Sequence, residues 1–287
     1  MNGMEDKKTI QVAHSPDSDD AFMFYAMAKG KYNTPGLEFV HVLKDIESLN
    51  RLAMDGKYEV TAVSFHAYAH IYRKYILLPC GASIGYGYGP IVVTKDGNTS
   101  EGVKGKKVAI PGEWTTAYLV LRLYQPNFIA VTIPFDQILK EVEEGAVDAG
   151  LIIHEGQLTY ASYGFTKIVD LGDWWLKKTK LPLPLGGNVI RRDLGKELIG
   201  KVGYCIKQSI LYSLDHREEA LGYAASFARG LDSTKIDRFV QMYVNQRTVE
   251  YDDESKEAIR ILLDEGYKQG VIKEKVIPEF VDIPNYL

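Results

Sequence analysis

The feature that most constrains this chain is an alternation that fills its first two thirds. Short apolar runs, each bounded by turn residues, take turns with segments of helical period. A short apolar run of this kind reads as a strand buried on both faces. Strands that alternate with helices build mostly parallel sheets covered on both sides. The chain is therefore predicted to be an α/β protein.

Strands are expected at residues 9–13, 37–42, 58–65 and 76–79, with helices at 21–28, 46–54 and 66–75 between them. Gly30 stops the first helix, and Asp45 caps the second. The texture then changes. Gly81, Gly85, Gly87 and Gly89 fall within nine residues and let the chain bend into an extended run at 90–94, followed by a turn at 95–98. The alternation resumes with strands at 106–110, 128–133 and 147–153 and helices at 117–124 and 136–144. A second extended run covers 181–190. From Leu194 onward the spacing predicts helix throughout, in segments 196–213, 217–229, 234–244 and 253–267.

This order predicts two α/β domains joined by two crossing strands, near 90–94 and 186–191. One domain is discontinuous, 1–94 plus 190–287, with the helical tail packing back on it. The other spans 95–189, and a ligand cleft lies between them. Such a layout is that of periplasmic-binding-protein-like folds, which close on a ligand by hinge motion. Layout alone does not separate transport from catalysis.

Composition narrows the partners. A net charge of -4 with no cluster of excess Lys and Arg argues against nucleic acid. No apolar run reaches the length of a membrane span. The polar residues 1–8 lead straight into the first strand without an apolar leader, so a cytoplasmic location is expected. Cys80 and Cys205 stand far apart without CxxC spacing, which points to reduced buried thiols rather than structural zinc. The expected partner is a small molecule.

Four loops converge on the predicted cleft, because ligands bind at the carboxyl ends of strands in open α/β sheets. His14-Ser-Pro-Asp-Ser-Asp-Asp20 follows the first strand. Ser15 and the amides after it suit an anion at a helix start. Asp17, Ser18 and Asp19 read more simply as turn and cap residues, and the acids already complement the helix dipole. Ala62-Val-Ser64 ends the third strand, where Ser64 serves equally as cap or ligand donor. Trp114-Thr-Thr116 opens a helix; two adjacent hydroxyls and first-turn amides there favour an anion. His154-Glu155 follows an apolar strand. By position alone His154 reads as a core histidine bonded to a carbonyl; as a cleft residue it is a base suited to neutral pH. Glu155 can orient it, cap the next helix or bind a hydroxyl.

Other candidates are weaker. His66 and His70 share a helix face, but no third ligand has metal spacing, so a partly exposed face is expected. Gly85-Tyr-Gly-Tyr-Gly89 lacks the Lys-Ser/Thr and following helix of a phosphate loop. Trp174-Trp175 reads as packing.

Four motifs together carry a resemblance: Gly150-Leu-Ile-Ile-His-Glu155, Thr115-Thr-Ala-Tyr118, Val169-Asp-Leu-Gly-Asp-Trp-Trp175 and Leu181-Pro-Leu-Pro-Leu-Gly186. With Ser15-Pro16, the stretch 45–64 and Gly89-Pro90, the chain to about residue 193 resembles the 1,4-dihydroxy-6-naphthoate synthases of the futalosine route to menaquinone. The resemblance implies a type II periplasmic-binding-protein-like fold serving a lyase. It implies conversion of cyclic dehypoxanthine futalosine to 1,4-dihydroxy-6-naphthoate without metal or organic cofactor. It places the base on His154 and substrate binding on Ala62, Val63, Ser64, Thr115 and Thr116. Ser15, Asp20 and Glu155 are further candidates. The first loop departs from the family's Ser-Pro-Cys-Pro-Asn-Asp-Thr: Asp20 is kept, but Asp19 adds an acid.

Two alternatives remain open at this point. Chorismate dehydratase shares the fold and pathway, and the His-Glu pair argues against it. A solute-binding protein for a small acid would need neither a base nor a cytoplasmic start.

Overall fold

The computed structural model describes residues 7–95, 97, 99, 102–227 and 232–284. The expected turn at 95–98 and the end of the expected helix 217–229 lie partly outside them.

The strands are β1 Lys8–His14, β2 Leu37–Leu43, β3 Val60–Ser64, β4 Tyr75–Leu77, β5 Ser83–Gly85, β6 Ile91–Thr94, β7 Lys107–Ile110, β8 Ile129–Thr132, β9 Ala149–Ile152, β10 Thr166–Asp170 and β11 Leu183–Arg191. Among the first ten strands run α1 Ser18–Ala28, α2 Ile46–Met54, α3 Phe65–Ile71, α4 Thr116–Tyr124, α5 Ile138–Glu143 and the short α6 Gly156–Thr159. Between β10 and β11 lies α7 Leu171–Thr179. After β11 come α8 Lys196–Asp215, α9 Arg217–Ala225, α10 Ser233–Tyr243, α11 Gln246–Val249 and α12 Asp253–Lys268.

The strands form two sheets. One has the order β2-β1-β3-β11-β4, with β5 also paired to β11; the other has the order β10-β6-β9-β7-β8. In the first, β1 runs parallel to β2 and β3, while β11 returns antiparallel to β3. In the second, β7 runs parallel to β8 and β9, and β6 returns antiparallel to β9. The two halves thus repeat one plan, a parallel core plus one reversed strand. This is why the carboxyl ends of β1, β3, β7 and β9 all present loops to one cleft.

The strand pairing departs from the expected boundaries. β6 was expected with the first half, yet it pairs wholly within the second sheet. Most of β11 was expected in the second half, yet its whole length pairs within the first sheet. The chain therefore changes sheets at residues 86–90 and within 171–182, earlier than the apolar runs suggested. Apolar content marks a strand as buried but carries no information on which sheet buries it. Backbone packing marks the crossing instead: a Cβ on Gly172 would lie 2.0 Å from the Tyr88 carbonyl. Leu171 N donates to Pro90 O at 2.9 Å at the same place.

The tail is also more varied than expected. α8, α9 and α10 pack on α1, whose eleven residues are almost all buried, as a helix enclosed on all sides must be. α12 lies elsewhere, against α3, β11 and α4. Lys178 of α7 and Glu265 of α12 form an ion pair at 2.8 Å, so the tail braces both halves. The last described stretch, 271–284, is not helical; Phe280 forms a parallel bridge to Leu77 at the edge of the first sheet. Pro278 and Pro284 remove the amide hydrogens that a helix there would need.

Trp175 is fully buried and donates its ring N–H to Pro182 O at 3.0 Å, in keeping with the packing role expected of the Trp pair. Cys80 and Cys205 are free and buried. Among the described residues no helix is long and apolar enough to cross a membrane.

Candidate active site

Between the sheets lies a cleft of about 780 Å³, open solvent at its mouth included, which suits a small organic ligand. Its walls come from the predicted loops. Ser15 and Asp20 follow β1; Ala62, Val63 and Ser64 end β3; Thr115 and Thr116 open α4; His154 follows β9. Glu155, the remaining candidate, does not line the cleft. Its carboxylate accepts from Ser18 Oγ at 2.7 Å, joining the loop after β9 to the start of α1.

The hydroxyls differ in what they have left to offer. Thr115 caps α4: its Oγ1 accepts from Tyr118 N at 3.2 Å and donates to Gly112 O at 2.8 Å. Its hydrogen is thus committed, and it was expected as a donor to a ligand. Thr116 Oγ1 accepts from His66 N at 3.3 Å, which leaves its hydrogen to point elsewhere. Ser64 is anchored by Asn50, whose amide accepts from Ser64 N at 2.9 Å and donates to Ser64 Oγ at 3.2 Å. The Ser64 hydrogen is likewise left for the cleft.

Electrostatics divide the cleft into two walls. Among the described lining residues there is no Lys or Arg. One wall carries Asp17, Asp19 and Asp20 at the start of α1. Burial raises the Asp20 carboxyl to about 7, opposed by its bond from Ser15 N at 2.8 Å. Burial, then the charges of Asp20, Asp17 and Glu155, push Asp19 well above the usual carboxylate range. Asp19 accepts from Ser83 Oγ at 3.0 Å. The other wall carries the starts of α3 and α4, neither with an acid in its first turn. First-turn amides have no partner within their own helix and carry the positive end of its dipole. That wall is the less acidic of the two.

The walls are tied together. Glu47 of α2 accepts from Trp114 N at 3.2 Å, ahead of α4. A Cβ on Gly112 would lie 2.2 Å from that carboxylate, so the contact requires glycine. His66, expected on a partly exposed face, is instead buried, because the Trp114 loop covers it; its ring centroid is 6.0 Å from that of Trp114.

His154 sits in the left-handed region with φ 54, unusual for a residue with a Cβ, and packs edge-on against Phe135 at 4.3 Å. Among the described residues it is the one histidine that lines the cleft. A family model described as menaquinone biosynthesis matches residues 10–268.

The chain belongs to this menaquinone biosynthesis family.

A Thermus thermophilus relative named 1,4-dihydroxy-6-naphthoate synthase is 39% identical over 274 residues, covering 96% of this chain and all of that protein. A crystal structure of an Archaeoglobus fulgidus protein aligns with TM-score 0.88 at 48% identity over 92% of this chain and 98% of that one. A Candida albicans protein described as having the generic periplasmic binding protein fold aligns with TM-score 0.67 at 14% identity, over 97% and 99% of the two chains; that likeness is one of fold. This family member therefore has the periplasmic-binding-protein-like architecture expected from its sequence.

Phe239 and Tyr243 of α10, Ser83, and Gln157 also line the cleft, and the sequence reading did not reach them. Gln157 stands three residues after His154, a spacing that signals proximity in a short helix. For α10, about ninety residues downstream of His154, no local signal exists.

Proposed function

We propose that this chain is a 1,4-dihydroxy-6-naphthoate synthase, a lyase that releases the naphthoate from cyclic dehypoxanthine futalosine, with His154 as the base. The observation that carries the reading is His154 itself: an imidazole lining a cleft to which α4 presents a helix end without acids. Membership of the menaquinone family and the named relatives supply the substrate class.

The chemistry follows from these parts. His154 takes a proton from the carbon beside the ring ketone. The electron pair of that C–H bond forms the enolate, and the enolate then expels the sugar-derived fragment as the bond to it breaks. The ring gains aromaticity, and the proton held by His154 is returned to the departing fragment or to water. No electron enters or leaves, so the step asks for no redox cofactor. The Ser64 and Thr116 hydroxyls donate to substrate oxygens. The first-turn amides of α4 that the Thr115 cap does not take up hold the carboxylate. Thr115, Ala62 and Val63 act through backbone and shape. Closure of the half built on the first sheet against the half built on the second excludes water from the enolate. The protein acts in the cytoplasm on a small-molecule carboxylate.

The test is turnover of cyclic dehypoxanthine futalosine against chorismate, for the parent and His154→Ala. The parent is expected to form naphthoate from the first substrate alone. His154→Ala is expected to lose turnover by at least about 100-fold while keeping most substrate affinity. Near-normal turnover by His154→Ala removes the base assignment. Turnover of chorismate moves the chain to the sibling reaction.

A further inference from the structure

We propose that Gln157 is a positioning residue that fixes His154 and couples it to Tyr243 of the C-terminal tail. The proposal rests on His154 as the base, and no contact of the His154 ring is needed for it.

The backbone at His154 is the starting point. A residue with a Cβ at φ 54 is held in a sparsely populated region, and such a conformation persists only where its surroundings over-determine it. Gln157 supplies that restraint from both sides. Its backbone N donates to His154 O at 3.0 Å. One orientation of its side-chain amide gives every amide atom a complementary partner. In that orientation the oxygen accepts from His154 N at 3.2 Å, and the nitrogen donates to Gly89 O at 2.7 Å and to Tyr243 Oη at 3.0 Å. The peptide groups flanking His154 are thus clamped by one residue.

The other ends of the clamp matter as much. Gly89 lies where the chain crosses between sheets, and Tyr243 ends α10, which packs on the first half. Tyr243 is buried and stands edge-on to Tyr88 at 5.7 Å. Gln157 therefore touches the base, the crossing and the opposite wall at once. When the walls separate, the Tyr243 bond is the one that must break, and the clamp on His154 loosens with it. Base geometry and cleft closure become one event, and the base is aligned only in the closed cleft. Because Tyr243 Oη accepts from Gln157, its own hydrogen is left to face the cleft.

The experiment is steady-state kinetics of Gln157→Met, Tyr243→Phe and the double variant, beside His154→Ala, with a melting curve for each. Gln157→Met keeps length and removes all three side-chain bonds. It is expected to lower kcat by about 10- to 100-fold with KM changed less than about threefold, because misplacing a reacting group costs rate rather than binding. Tyr243→Phe is expected to lower kcat by about three- to tenfold, and to add almost nothing in the Gln157→Met background, as coupled residues do. A kcat within twofold of the parent for Gln157→Met, a rise in KM alone, or full additivity of the two changes each overturns the proposal. If Gln157→Met does not fold, Tyr243→Phe with unchanged kcat overturns it instead. Should His154→Ala retain turnover, the base reading has failed; should it lose turnover while Gln157→Met keeps it, this inference alone has failed.

Discussion

The starts of α1 and α4 face the same cleft and make opposite use of the same physics. Both helices begin with amides that have no partner within the helix itself and with the positive end of a dipole. α1 meets that field with its own acids, Asp19 and Asp20, behind an Asp17 N-cap. α4 is capped by the neutral Thr115 and has no acid in its first turn. One helix end is already occupied by carboxyl groups of the chain itself; the other has none. The lesson is that a helix N-terminus is a ligand site only where the sequence has not already filled it.

The strongest way to break this contrast is to make α4 resemble α1. Thr116→Asp sets a carboxylate on the wall proposed to hold the substrate carboxylate, and like charges placed together cost several kcal/mol. KM is expected to rise by roughly 30- to 100-fold at neutral pH, with a smaller change in kcat. An unchanged KM means that the carboxylate binds elsewhere. Gly112→Ala attacks the tie between the walls. The new methyl would sit 2.2 Å from the Glu47 carboxylate, and overpacking of this kind costs about 1–3 kcal/mol. Calorimetry should show a lower melting temperature, and a value equal to the parent's means that Glu47 can move away freely.

The α1 side is sharpened by pH. The Asp20 carboxyl titrates near 7 when folded against 3.8 for the unpaired group. Between these values folding takes up a proton, so Asp20 makes the native state lose stability as pH rises from about 4 to 7. Asp20→Asn removes that contribution. Its melting temperature is expected to gain on the parent's across this window and to stay level above it; a constant difference contradicts the burial of this carboxyl. The smallest effect belongs to Thr115→Ala. Loss of the cap costs about 1 kcal/mol, about 2 °C in a chain of this size. Because the Thr115 hydrogen is committed to Gly112, kcat should hardly change.

How far the sequence could be read depended on the range of the forces concerned. The elements before β5 and from β7 to β9 were legible because period and capping act within a few residues. Asp45 caps α2 as expected, accepting from Ser48 N at 2.9 Å. β5 was missed because three residues in a glycine-rich stretch carry no period; only pairing with β11 makes them a strand. Within the site, Ser15, Ser64 and His154 lie at strand ends and Thr116 opens the helix after β7, so local order placed them on the rim. Gln157 gave a faint signal through its spacing, while Phe239 and Tyr243 gave none.

By itself, then, the sequence determined the α/β alternation, the four rim loops and the presence of a histidine among them, since burial pattern, turn chemistry and residue type are local properties. Tertiary structure alone decided which sheet each crossing strand joins, that Glu155 is spent on Ser18 while Thr116 keeps a hydrogen, and that a helix from the tail lines the same cleft as His154. Those outcomes depend on which groups meet across long stretches of chain, and hydrogen-bond partners are assigned only when they do.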